Sequence, residues 1–343
     1  MKVGANIGED FDKIIARATR FEGLGLDTIT TAELGHDPFL PLMLAAEHTQ
    51  RVELMTSIAV AFARNPMNLA NLGHDLNAYS KGRFTLGLGS QIRAHINWRY
   101  SMPWSSPAAR MKELVLALHA IWDTWLEGKP LEFRGDFYSH TLMTPRFTPT
   151  DTQYGRPKVT VAAVGPLMTR TAAEVADGMI CHAFTTERYF RDVTLPMIEK
   201  TLEGRGRKRS DFEVIWSPFV AFASTPAEVE AGRKALRQQI AFYASTPAYR
   251  VVLEQHGWGE LQSKLHPMSK AGQWVEMGDL IDDEVFDAFA IVGDADTIGA
   301  EIARRYGGLV DRVQISVDTL QDDDARALVA RLHAAGAAAK ASA

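Results

Sequence analysis

The chain has 343 residues, 46% of them hydrophobic and 23% charged, a composition that excludes disordered, collagen-like and coiled-coil proteins. Lys plus Arg number 37 against 42 Asp plus Glu, a net charge of -5, which offers no electrostatic footprint for nucleic acid or an anionic membrane. Cys181 is the only cysteine, so an intramolecular disulfide is excluded, a Cys-based zinc site is disfavoured, and a cytoplasmic, reducing setting fits.

Short apolar or β-branched runs alternate with segments whose apolar residues recur at helical spacing. Val3 to Ile7 opens the chain as a strand, with no long apolar run or cleavage site of a secretory signal before it. Ile14, Ile15, Ala18 and Phe21 then share a helical face that Gly23 and Gly25 end. Asp27 to Thr31 is a second strand, and Asp37-Pro38 supplies a cap and a first-turn proline for a helix to about Gln50. Val52 to Ala59 is a third strand, and Asn65-Pro66 repeats the same device for a helix to about Tyr79. Arg83 to Leu88 is the fourth. An irregular stretch rich in Trp and Pro, about 90–107, precedes a helix that buries Met111, Leu114, Val115, Leu118, Ile121, Trp122 and Trp125. Leu131 to Tyr138 reads as a hairpin turning near Gly135-Asp136.

The alternation resumes with strand Val159 to Ala163, a helix from Leu167, strand Met179 to Cys181, a helix from Thr186 to about Leu202, and strand Phe212 to Ala221. Thr225 to Glu228 is a capping box. A second irregular stretch, about 244–285, separates it from a helix at Asp294, a last strand Val310 to Val317 and a closing helix from about Asp322 to Ala338. The tally is eight strands and eight main helices, that of an α/β protein of the (β/α)8 TIM-barrel type, with insertions after strands four and seven. A doubly wound sheet uses the same alternation. The barrel reading makes 1–320 one domain and 321–343 a closing helix with an Ala-rich tail. No apolar run approaches the roughly 18 residues of a spanning helix.

In a barrel the chemistry sits where strands end. Those ends carry Glu33 and His36, Ser57 to Val60, Gly87 to Gln91 with Arg93 and His95, Ala163 to Pro166, and Cys181-His182. Small residues dominate, which suits a flat cofactor lying on backbone more than a metal held by converging His and Asp. Lys158 stands at a strand's entrance, the wrong end for a Schiff base. Gly87-Leu88-Gly89 lacks the third glycine and the following helix of a dinucleotide loop. Gly165-Pro166 at a helix start fits either phosphate binding or a tight turn. Glu33 and His36 have the chemistry for proton transfer, or Glu33 caps a neighbouring helix or pairs with a cation. His95 reads as a catalytic or a surface group. His48, His74 and His119 lie on helices, and Cys181 within an apolar strand reads as a core residue.

Taken together, Ala32-Glu33-Leu34-Gly35-His36-Asp37-Pro38-Phe39, Thr56-Ser57-Ile58, Gly82 to Ser90, Ala162-Ala163-Val164-Gly165-Pro166 and Ala176-Asp177-Gly178 resemble the bacterial luciferase-like family, most closely its branch using the deazaflavin coenzyme F420. The resemblance spans roughly 1–320. It implies a non-prolyl cis peptide between Ser57 and Ile58, at the bulge that ends strand three, backing the cofactor ring. It also implies that Ala59, Gly89 and Ser90 border the cofactor, and that Ala163, Gly165, Pro166, Leu167 and Met168 hold its phosphate through backbone N–H groups. Two family features are missing: Leu34 follows Glu33 where some members have a catalytic histidine, and Ile92 stands where they have a glutamate. Glu33, His36 and His95 therefore remain the candidate catalytic residues, with Arg93 acting electrostatically or water as the other proton-handling options.

The function implied is hydride exchange between F420 and a small organic substrate. An FMN-dependent monooxygenase and a non-catalytic F420- or flavin-binding protein are the alternatives. Trp98, Tyr100, Trp104, Trp258 and Trp274 either form an apolar lid or pack the insertions. No metal, nucleic acid or membrane partner is expected. The apolar faces of the helices after strands two and three suit a homodimer.

Overall fold

Parallel strands need covered faces, and each of the eight central strands here is followed by helical chain that supplies the cover. The computed structural model describes residues 1–341; positions 342 and 343 of the Ala-rich tail lie outside the described residues. In chain order the strands are β1 (Lys2–Asn6), β2 (Thr28–Thr31), β3 (Glu53–Thr56), β4 (Phe84–Gly89), β5 (Lys158–Ala163), β6 (Gly178–Cys181), β7 (Glu213–Trp216) and β8 (Arg312–Gln314). All neighbours pair in parallel, and closure comes from β8 against β1, with Val3 opposite Val313. This is the (β/α)8 TIM barrel that the alternation predicts.

The outer ring consists of α1 (Phe11–Gly23), α2 (Phe39–Glu47), α3 (Pro66–Tyr79), α4 (Pro107–Glu127), α5 (Pro166–Val175) and α6 (Leu195–Glu203), then Ala295–Tyr306 and Asp322–Ala341. Its starts follow the local chemistry. Asn65 Oδ1 accepts from Met67 N at 2.8 Å ahead of Pro66, and Asp294 Oδ1 accepts from Thr297 N at 2.8 Å. The last helix buries Ala325, Leu328 and Leu332 in the same core as β1.

Period-two alternation sorts the barrel interior into layers. At the strand entrances Arg312, only 2% exposed, pairs with Glu53 and with Glu213 (2.7 Å), and Lys2 Nζ reaches Glu53 at 2.6 Å. Two residues further along each strand, Met55, Ile180 and Ile215 form an apolar plug. Two further again, Ser57 and Ser217 meet the Gln314 side chain. A charged floor thus lies under an apolar layer, and the apolar layer lies under a polar one.

Three predicted elements come out differently. Phe212 to Ala221 is two strands, because Pro218 has no N–H to continue the ladder: β7 stays in the barrel, while Phe219–Phe222 leaves to pair with Ala290–Gly293. The stretch 244–285 is mostly helical, holding Arg250–Glu254 and Gly259–Lys270 between the capped helix Pro226–Ala244 and Asp283–Phe289. These segments share a second apolar core with Leu236, Ile240, Leu265, Phe286 and Phe289. The hairpin pairs Phe133–Arg134 with Ser139–His140, its turn held later because the Glu113 carboxylate accepts from the N–H groups of Asp136, Phe137 and Tyr138.

Candidate active site

Where the strands end, a cavity of about 930 Å3 opens among residues from β1, β3 to β8 and the insertion after β7. One wall is built by the ends of β3, β4 and β5. Thr56 Oγ1 bonds both the N–H and the carbonyl of Gly87, drawing β3 and β4 together. A Cβ on Gly87 would lie 1.8 Å from the Thr56 carbonyl oxygen, so only glycine fits. The Ser57–Ile58 peptide is cis, where the resemblance places it. Ile58 packs over Gly89, where a Cβ would approach its side chain to 2.7 Å. Ser57, Ile58, Gly89, Ser90 and Ala163 all line the cavity, while Ala59 is buried behind the wall, paired with Leu88.

The phosphate-binding expectation falls at the start of α5. Gly165 precedes it in extended backbone without a side-chain cap, and the space a Cβ would occupy there is open. Pro166 lacks an N–H and so donates nothing, which corrects the expectation for that residue. The amides of Leu167 and Met168 are first-turn donors of the kind that suit an anion. Val164, the residue before the glycine, reaches the cavity.

The proposed proton-handling residues are not gathered at this cavity. Glu33 is buried at 7% exposure, and its carboxylate accepts from Val60 N (2.7 Å), Tyr100 Oη (2.8 Å) and Arg64. It braces the backbone behind the cis peptide, as the cation-pairing alternative has it. His36 is exposed with its ring at an edge-type angle to Phe11, and Arg93 and His95 are exposed on the short helical segment that follows β4, which the sequence reading took as irregular. None of these four lines the cavity, whereas Ile92 does, with hydrocarbon where some relatives carry an acid. The aromatic lid is also elsewhere: Trp98 is 84% exposed, Trp104 packs on Phe62, Trp258 stacks on His256, and Trp274 meets Phe242.

Sequence reading assigned no role to several polar groups that line the cavity. Gln314 Oε1 accepts from Ser57 Oγ (3.1 Å) and Ser217 Oγ (3.2 Å), bridging the ends of β3 and β7 on opposite sides of the barrel. Its Nε2 is left buried without a partner. The alternation Arg312, Gln314, Ser316 among Val313, Ile315 and Val317 carries this signal, because the polar set of such a strand must face the barrel interior. His182 lines the cavity beside Tyr243 and Tyr249, and burial takes its pKa down to about 4. Arg17 and Asp318 meet in an ion pair on the β1–β8 side. Burial pushes the Cys181 thiol up, as befits a core residue. Among the described residues no cluster of three His, Cys, Asp or Glu is placed to hold a metal, and no helix is long and apolar enough to cross a membrane.

A closed parallel barrel with a wide cleft above its strand ends, walled by backbone and small side chains, defines a TIM-barrel protein with an open site at its C-terminal face. The sequence matches the luciferase-like monooxygenase family over residues 2–312, and the chain belongs to that family. It is 53% identical over 313 residues to the uncharacterized protein Rv1360 of Mycobacterium tuberculosis, covering 91% of this chain and 92% of that one. It is 26% identical over 331 residues to a putative coenzyme F420-dependent oxidoreductase, Rv3520c, of the same organism, covering 88% and 91%. The fold is similar to that of the coenzyme F420-dependent tetrahydromethanopterin reductase from Methanopyrus kandleri, with a TM-score of 0.76, 21% identity and 96% of each chain covered. Members of the family are F420- or flavin-dependent oxidoreductases and monooxygenases.

Proposed function

We propose that this chain is an F420-dependent oxidoreductase acting on a small organic substrate. The observation that carries the reading is the cavity wall at Ser57, Ile58, Gly89, Ser90 and Ala163, built of backbone and small side chains around the close-packed Gly89, with an open helix start beside it. Its volume lies within the range of small-molecule sites and suits a tricyclic ring. Gln314 lines the cavity, and its buried Nε2 is a donor that the protein itself leaves unsatisfied.

When bound, a deazaflavin supplies two-electron hydride chemistry; this chain's residues supply placement. Ile58 and Gly89 would offer the ring a surface to lie against. Gln314, fixed by two serine hydroxyls, orients its polar edge. The amides of Leu167 and Met168 receive the phosphate, and the Arg17–Asp318 pair keeps the β1–β8 side electrically neutral. Glu33 acts through the backbone and Arg64 as a positioning residue for the wall. With Ile92 in place of an acid, protons reach the mouth from water. Exposed Leu40 and Met43 on α2 are assigned to a homodimer face, which sedimentation of an L40E/M43E variant tests.

Titration of the purified chain with F420 and with FMN decides the cofactor. F420 is expected to bind at least about tenfold more tightly, a difference of about 1.4 kcal/mol. Tighter FMN binding reverses the assignment to a flavin-dependent enzyme.

A further inference from the structure

Across the mouth from the Ser57–Ile58 wall, the ends of β6 and β7 and the insertion build a second wall of different chemistry. His182 is its centre. Its ring stacks on Tyr249 at 4.7 Å and 25° and takes the edge of Tyr243 at 4.6 Å. Nδ1 accepts from Phe184 N at 3.0 Å. A backbone N–H can only donate, so Nδ1 is unprotonated and the neutral ring must carry its hydrogen on Nε2. Burial keeps the ring neutral across the physiological range. Nε2 has no protein partner among the described residues.

The rest of this wall carries no formal charge. Ile180, Ala183, Phe242, Tyr243, Thr246 and Tyr249 face the cavity here, and the only charged lining residues, Arg17 and Asp318, neutralise one another on the β1–β8 side. Burial pushes the Tyr249 phenol up to about 12, so it also stays uncharged. A charged substrate would lose hydration on this wall without finding a counterion. A flat uncharged one gains ring contacts and finds one fixed donor. The wall is rigid because Tyr243 and Tyr249 pack on the second core, with Phe219 stacked on Tyr243 at 5.7 Å.

We infer that this wall is the substrate subsite of the oxidoreductase proposed above, that it selects uncharged planar carbonyl compounds, and that His182 Nε2–H orients them by donating to the carbonyl oxygen. The inference rests on that reading for the word substrate, but the binding chemistry stands on the wall alone.

Three probes of one shape class test it on the full chain, with and without F420: acetophenone, α-methylstyrene, which replaces the oxygen with a methylene, and benzoate, which adds a charge. Calorimetry is expected to rank acetophenone first and benzoate last. His182→Phe should weaken acetophenone about tenfold and leave α-methylstyrene within about twofold, and His182→Gln, which restores a donor, should recover most of the loss. In the 15N spectrum of wild-type histidine rings, His182 should show the Nε2–H form and move on addition of acetophenone. This arm decides the matter if the variants do not fold. Equal acetophenone affinity in wild type and His182→Phe, a preference for benzoate, or an unmoved His182 signal overturns the inference. Failure of F420 to bind while the His182 dependence persists removes the cofactor assignment and leaves the subsite.

Discussion

The two ends of the barrel are built from opposite materials. At the strand entrances side chains are spent on backbone and on one another. Asp27, Asp177 and Asp311 each accept from the first residues of the preceding strand, at Val3 N, Val159 N and Val214 N, between 2.7 and 2.8 Å. Arg83 donates to the carbonyls of Ala46, Thr49 and Val52, and the Glu22 carboxylate accepts from Gln50, Arg51 and Val52. Arg312 closes the floor between two glutamates. At the exits the pattern inverts: glycine and serine, a cavity, and polar atoms of Gln314 and His182 without protein partners. One end spends its side chains mostly within the fold, although Arg312 Nη1 and Thr28 Oγ1 are buried there without partners, and the other end opens on a cavity, the division of labour that TIM barrels share.

The sharpest way to break this division is at the floor. Arg312→Met leaves Glu213 without its cation and Glu53 with Lys2 alone, and is expected to cost about 3 kcal/mol in urea unfolding, while leaving F420 affinity unchanged under conditions where the variant is folded. Glu33→Gln comes next. It removes the charge opposite Arg64 and should cost about 2–3 kcal/mol, with turnover per folded molecule reduced less than tenfold; a loss of a thousandfold or more at unchanged stability would restore Glu33 as an acid-base group. Gly89→Ala belongs to the open end. Its Cβ displaces Ile58 into the ring space, so F420 affinity should fall at least about tenfold for about 1–2 kcal/mol of stability.

Acid sensitivity divides more gently. His182 at the mouth and His119 on α4 both have pKa values lowered by burial to about 4, against 6.5 as the ordinary value. Unfolding therefore takes up protons, so stability should be flat above about pH 6.5 and fall as pH drops towards 4, by about 1 kcal/mol per histidine at pH 5.5. Urea midpoints at pH 7.5 and 5.5 measure the slope, to which His140 and His256, also lowered by burial, add in the same direction, and His182→Phe should make it shallower. The smallest effects are expected at the surface: His36→Ala and His95→Ala should change stability by less than about 0.5 kcal/mol and turnover by less than twofold in a steady-state assay.

The barrel was legible because apolar runs, caps and prolines such as Asn65-Pro66 act locally. The cofactor wall was legible in part, because the motif around Thr56-Ser57-Ile58 and Gly87 to Ser90 names residues whose backbone must approach closely. Two other motif segments, Gly82-Arg83 and Ala176-Asp177-Gly178, belong to the closed end instead, where they clamp loops; a residue pattern does not say which end of a strand it serves. For the same reason the pattern did not show that the acid-base candidates Glu33, His36 and His95 lie away from the cavity lining. A carboxylate such as Glu33 reads alike whether it meets ligand or backbone, and only the fold shows Val60, Tyr100 and Arg64 around it. Tyr243 and Tyr249 were invisible as ligand groups because their places depend on how the insertion folds back over the mouth.

The break at Ser217-Pro218 gives that insertion an anchorage of its own. Because Phe219–Phe222 leaves the closed ring to join Ala290–Gly293, the aromatic side of the mouth is carried on a parallel clip that packs one face on the second apolar core and the other, through Val220, Phe222 and Ile291, on the barrel core. On the function proposed above, a change on the outer face of that clip reaches the aromatic wall first, while one at Ile291 or Val220 is felt by the barrel as well, so the clip is the hinge through which one wing of the mouth is tuned to its frame.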